Sequence, residues 1–64
     1  MRLNKVMAML FESGNHVVKV TDDEYSELVF KNDWESGKSN FDGDLWVRSV
    51  IDDYDDALIV VRVF

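Results

Sequence analysis

Leu45 to Ile51 (LWVRSVI) and Ala57 to Phe64 (ALIVVRVF) are two runs rich in β-branched and aromatic residues, divided by the polar stretch Asp52-Asp53-Tyr54-Asp55-Asp56. Side chains of this kind suit a pleated, half-buried surface, and a break of this length reads as the loop of a β-hairpin. With Ile51 set opposite Ala57, strand alternation sends Leu45, Val47, Ser49, Ile51, Ala57, Ile59, Val61 and Val63 to one face, the expected core. The other face carries Trp46, Arg48, Val50, Leu58, Val60, Arg62 and Phe64. That mixture is too apolar for an ordinary solvated surface, so a first hairpin, a second copy or a foreign protein is expected to cover it.

Working back along the chain, Asn32 to Asp44 has the composition of a loop, with Gly37, Ser39, Asn40 and Gly43. Before it, Thr21-Asp22-Asp23-Glu24 has the form of a capping box, and its two aspartates would complement a helix dipole. Tyr25, Leu28 and Val29 then fall at i, i+3 and i+4, and Phe30 and Trp34 lie four apart, which predicts a helix ending between Asn32 and Gly37. Further back, Lys5 to Glu12 (KVMAMLFE) and His16 to Val20 (HVVKV) flank Ser13-Gly14-Asn15, a turn cluster that predicts a first hairpin. The alternative is a short helix over Leu3 to Glu12, since Met, Ala and Leu favour helices. The expected order is strand, strand, helix, strand, strand. This is an α+β fold (ββαββ) in which two hairpins form one small, largely antiparallel sheet with a helix across one face, in a single domain over residues 1–64.

The chain has 64 residues, with 13 acidic and 7 basic side chains, one histidine, no cysteine and no proline. A chain this short buries only about 60% of its unfolded surface and stands to gain from a partner. Without cysteine there is no disulfide framework, thiolate metal site or cysteine nucleophile. The apolar runs Val6 to Phe11 and Ala57 to Val61 are too short to span a membrane, and no signal-peptide pattern appears, so a cytoplasmic location is the default expectation.

Charge is unevenly spread. Residues 1–20 hold three basic side chains against Glu12, a local charge of +2, whereas residues 21–64 hold twelve carboxylates against four basic groups, a local charge of -8. This sign disfavours direct contact with nucleic acid or anionic lipid and favours a basic protein partner. Plain solubility is the competing explanation. Asp52, Asp53, Asp55 and Asp56 crowd one loop, where repulsion calls for solvent, a cation or a basic partner. With Asp42, Asp44, Asp22, Asp23 and Glu24 they would present carboxylates spaced somewhat like phosphates on a nucleic-acid strand.

A calcium or magnesium site is the second reading of those carboxylates, but neither Asp42-Gly43-Asp44 nor Asp52 to Asp56 matches a calcium loop, and no metal is expected. An enzyme is not expected either. His16 reads as a structural histidine in a strand, the serines occupy no nucleophile elbow, and Gly14, Gly37 and Gly43 form no phosphate-cradling loop, so no cofactor is expected.

A very short, cysteine-free, strongly acidic chain with a hairpin-helix-hairpin plan and carboxylates on its turns resembles the small acidic inhibitors encoded by bacteriophages and mobile elements. Among these are anti-CRISPR proteins and uracil-DNA glycosylase inhibitors, many of which are DNA mimics. The resemblance spans the whole chain in size, charge and plan, and it includes no sequence motif. It implies a stoichiometric inhibitor whose carboxylates occupy a DNA-binding groove of a host enzyme, for example the PAM-reading groove of an RNA-guided nuclease in the bacterial cytoplasm. Contact would come from Asp22, Asp23, Glu24, Asp42, Asp44, Asp52, Asp53, Asp55 and Asp56, with Tyr54 and Trp46 as aromatic anchors. The competing classes are a small adaptor or self-associating module and a cation-binding module.

Overall fold

Leu3, Val6, Met7, Leu10 and Phe11 recur at spacings of three and four, which on a helix gathers them into one stripe. In the computed structural model, which describes residues 1–64, this segment is the helix α1 (Leu3–Glu12), with Leu3, Val6, Met7 and Phe11 buried. The strand expected over Lys5 to Glu12 is therefore corrected to the helical alternative. As a strand, the run would have thrown apolar side chains to both faces, and the sheet has a cover on only one. Ser13-Gly14-Asn15 closes the helix rather than turning a hairpin. Gly14 takes φ +102° and donates to the Phe11 carbonyl at 3.2 Å, while the Asn15 N–H donates to Leu10 at 3.3 Å, the bond pair of a Schellman cap.

The segment read as a capped helix forms a hairpin instead. Strand β1 (Val17–Thr21) pairs antiparallel with β2 (Ser26–Phe30), Val18 opposite Val29 and Thr21 opposite Ser26. The N-cap chemistry is nevertheless used, one residue later than expected. Asp22 Oδ1 accepts the N–H groups of Glu24 at 2.8 Å and Tyr25 at 2.7 Å, forming a turn. Beyond it the chain extends, because Val29 is buried only by alternating along a strand. Helix survives only in α2 (Lys31–Glu35), closed like α1 by a Ser-Gly pair: Gly37 at φ +72° donates to Trp34, and Lys38 to Asp33 at 2.9 Å.

Residues 36–46 then cross the sheet to β3 (Val47–Asp53), which pairs antiparallel with β4 (Leu58–Val63). The C-terminal hairpin is present as expected, but its register differs. Asp53 pairs with Leu58 and Ile51 with Val60, around a turn at Tyr54 to Ala57 in which Ala57 has φ +52°. Ile51 was expected opposite Ala57, and the odd shift of three residues turns β3 over relative to β4. Ile59, Val61 and Val63 face the core as expected. Ile51 and Ser49 move to the opposite face with Val60 and Arg62, and Val50 comes beside Val61. A bulge between Val47 and Ser49 restores Val47 to the core side.

The sheet order is β2-β1-β4-β3, and the two hairpins join through a parallel pairing of β1 with β4, Val20 beside Val61. The sheet is thus mixed and the order αββαββ, within the expected α+β class. On one side of the sheet α1, Val18, Val20, Val29, Phe41, Val61 and Val63 form the core, with Leu10, Trp34, Leu45, Val47 and Ile59 packed around it. The N-terminal segment is pinned across the start of β3, with Arg2 paired to Trp46 and Leu3 N–H donating to Leu45 at 2.7 Å. No helix is long and apolar enough to cross a membrane.

Candidate protein-binding interface

The side of the sheet away from α1 has no cover. Alternation and register place three rows across it: Phe30, Val17, Leu58 and Asp53; Leu28, Lys19, Val60 and Ile51; Ser26, Thr21, Arg62 and Ser49. Leu28 is 54% exposed, Phe30 50% and Ile51 44%, values far from the 0% of Val18, Val20 and Val61 on the other side. The face is apolar toward one end of the strands and polar toward the other.

An acidic turn stands at each end, so the structure splits the expected carboxylate array. Asp22, Asp23 and Glu24 lie at the polar end, gathered around the exposed Phe64. Arg48 tempers them: its guanidinium sits 5.6 Å over the Phe64 ring and 3.9 Å from Asp23, the one ion pair in the molecule. At the opposite end Asp52, Asp53, Tyr54 and Asp55 border a depression of about 550 Å³ floored by Ile51 and Val60, with Lys19 beside it. Tyr54, in the turn, is 85% exposed. Because β1 and β4 run parallel, the turn after β1 and the turn before β4 stand at opposite ends. They are separated by about 20 Å, at roughly 3.3 Å per residue over six residues.

Asp42 and Asp44 do not join either cluster. They lie on the crossing segment near α1, where Asp42 Oδ1 accepts the Asp44 N–H at 2.9 Å and the Asp44 carbonyl accepts from the Arg2 guanidinium at 2.7 Å. Trp46 is already occupied by the same Arg2, stacked 4.5 Å from its ring. Hydrogen bonding also divides the acids by task. Asp22, Asp42 and Asp53 accept backbone N–H groups and shape turns, whereas the side chains of Glu24, Asp44, Asp52, Asp55 and Asp56 make no hydrogen bond within the chain.

One carboxylate outside the expected set is the most firmly held. Glu27 accepts hydrogen bonds from the Ser39 hydroxyl at 2.7 Å, the Asn40 backbone at 3.2 Å and side chain at 2.8 Å, and the Tyr25 hydroxyl at 3.3 Å. The Ser39 bond foremost, with those of Asn40 and Tyr25, outweighs desolvation and holds its carboxyl below the usual 4.5. With Tyr25 stacked 5.6 Å from Phe41, this network ties the crossing segment to β2.

Leu28, Phe30, Val17 and Lys19 are the face residues that sequence reading missed. Their signal was the alternation in Ser26-Glu27-Leu28-Val29-Phe30, which a helical reading of the same apolar residues obscures. A second concavity of about 490 Å³ lies between the ends of α1 and α2, lined by Ala8, Phe11, Glu12, Lys31, Trp34 and Glu35. His16 precedes β1, exposed, its carbonyl accepting the Lys31 N–H at 2.9 Å. No group of three or more histidine, aspartate or glutamate side chains converges on a point that could hold a metal ion. Comparison with protein-family models, curated proteins and solved structures finds no match.

Proposed function

We propose that this chain is a non-enzymatic inhibitor that binds the basic nucleic-acid-binding groove of a host enzyme by DNA mimicry, an anti-CRISPR protein that blocks PAM recognition by an RNA-guided nuclease. The observation that carries the reading is the tip of the β3–β4 hairpin, where Asp52 near the end of β3 and Asp55 and Asp56 in the turn carry carboxylates with no hydrogen-bond or ion-pair partner in the chain, close in sequence to the exposed Tyr54. A groove built to neutralise phosphates with arginine and lysine offers these groups the ion pairs the chain withholds. Association is steered by the carboxylates, and the aromatic ring supplies the buried contact in which binding energy concentrates.

The test is a DNA-binding assay on purified RNA-guided nucleases, with uracil-DNA glycosylase as a second target class, titrating this protein at low and high salt. Inhibition that competes with DNA and weakens steeply with salt supports the reading. The fourfold variant Asp52→Asn, Asp53→Asn, Asp55→Asn, Asp56→Asn keeps the fold and loses at least tenfold in inhibition. Undiminished inhibition by that variant removes the turn as the site.

A further inference from the structure

We propose that the open sheet face is an interface between two copies of this chain, stacked with a two-fold axis running parallel to the strands. The inference goes beyond the inhibitor reading and does not depend on it. It rests on the self-complementarity of the face, because an isologous contact must satisfy its own pattern after rotation.

A two-fold axis along the strands exchanges β2 with β3 and β1 with β4 and keeps each row at its own level. In the middle row, whose ends are Leu28 and Ile51, Leu28 of one copy meets Ile51 of the other, and the Lys19 stem lies along Val60. Val17 meets Leu58 in the next row, and at the ends of that row Phe30 meets Asp53, an apolar ring on a carboxylate at the sheet edge.

The other face-to-face axis runs across the strands and reverses the rows. It would place Lys19 on Lys19 and set Phe30, Val17 and Leu58 against Ser26, Thr21 and Arg62. That arrangement sets like charge on like charge at Lys19 and apolar on polar at Phe30, Val17 and Leu58, whereas the first axis sets apolar on polar in that row only at Phe30. Sheets stacked by the first axis remain aligned, the usual packing of two apolar faces about 10 Å apart. The molecule measures 28 × 25 × 19 Å, so the most that one side can bury is of the order of the roughly 800 Å² per partner of a standard interface.

Because the chain has no cysteine, introduced thiols report the axis cleanly. Two proteins, Leu28→Cys and Ile51→Cys, are mixed and oxidised, and the rate of disulfide dimer formation is compared with that of each alone. The proposal expects the mixture to cross-link at least tenfold faster than either single variant, since only position 28 meets position 51. Self-cross-linking of Leu28→Cys as fast as the mixture, or no acceleration in the mixture, overturns it. Sedimentation of the unaltered protein at about 100 µM supplies the second readout, as interfaces of this size reach micromolar affinity or better. A dimer that Ile51→Asp shifts at least tenfold toward monomer supports the contact, and a wholly monomeric unaltered protein overturns it. Inhibition of DNA binding is a separate readout, so failure here and failure of the inhibitor reading are distinguishable.

Discussion

Val18, Val20, Val29 and Val61 on one side of the sheet and Val17, Leu28, Phe30 and Val60 on the other are chemically the same kind of residue, yet the first set is closed to solvent and the second is not. The one-sidedness comes from α1 and the crossing segment, which lay Leu3, Met7, Phe11 and Phe41 on a single face. Charged groups differ in the same sense. Glu27, beside the covered side, is held by four hydrogen bonds, whereas Lys19 on the open side has no ion-pair partner. Strand composition thus indicates that a surface seeks burial, and the surrounding topology decides whether the chain supplies it.

The sharpest way to break this comparison is to cut matched residues from the two sides. Met7→Ala removes a fully buried side chain and should cost about 2–5 kcal/mol in denaturant unfolding, through lost transfer energy and a cavity. Phe30→Ser, measured where the protein is monomeric, should cost about 1 kcal/mol, the share of a half-exposed ring that the sheet itself covers. Equal costs would mean that the chain itself buries the second face.

Next in size is the Glu27 network. Glu27→Ala should cost about 1–3 kcal/mol, because Ser39 and Asn40 lose a charged acceptor. The folded pKa is depressed, so this stabilisation is complete above the ordinary value near 4.5 and is lost as pH falls through the lower folded value. Urea midpoints followed from neutral pH down to about pH 3 should therefore drop more for the native protein than for Glu27→Gln. Parallel pH profiles would remove Glu27 as the source of acid sensitivity.

A smaller effect tests the covering helix. An added Cβ at Gly14 meets nothing within 4 Å, yet φ is +102°, so Gly14→Ala is strained only through the backbone and should cost about 1 kcal/mol. Gly37→Ala, equally open at φ +72°, should match it, and a thermal melt of each checks the pair. Least costly to the fold are the free carboxylates. Asp52→Asn, Asp55→Asn and Asp56→Asn should each move stability by less than about 0.5 kcal/mol, or raise it slightly by easing repulsion. Asp22→Ala removes a turn-forming acceptor and should cost about 1 kcal/mol on the same assay.

How far the sequence is legible follows from what each signal can distinguish. The C-terminal hairpin was readable because β-branched runs leave few alternatives, and so was the α+β class. Its register was not. Aspartate is rare in strands, so Asp52 and Asp53 read as loop, yet an edge strand open to solvent tolerates them and its charges deter edge-to-edge pairing. Residues 21–30 misled for a subtler reason: a side-chain oxygen accepting the N–H groups two and three positions ahead is common to a helix N-cap and a turn. Of the candidate site, the acidic turns and Tyr54 were visible as composition. Their placement at opposite ends was not, because it depends on the parallel pairing of β1 with β4, which no local pattern encodes.

That pairing also orders events in time. Val20 and Val61 meet across about forty residues of chain, and β4, made after β1, β2 and β3, is one of the two central strands. A ribosome delivers α1, β1, β2 and α2 with one flank of β1 unmatched, and the seam closes only when β4 has emerged. Closure is then a late, non-local step, so the folding rate should resemble that of mixed α/β domains rather than of helical bundles of this length. Removing Leu58–Val63 would leave the first hairpin with an open flank and β3 with no strand to pair with.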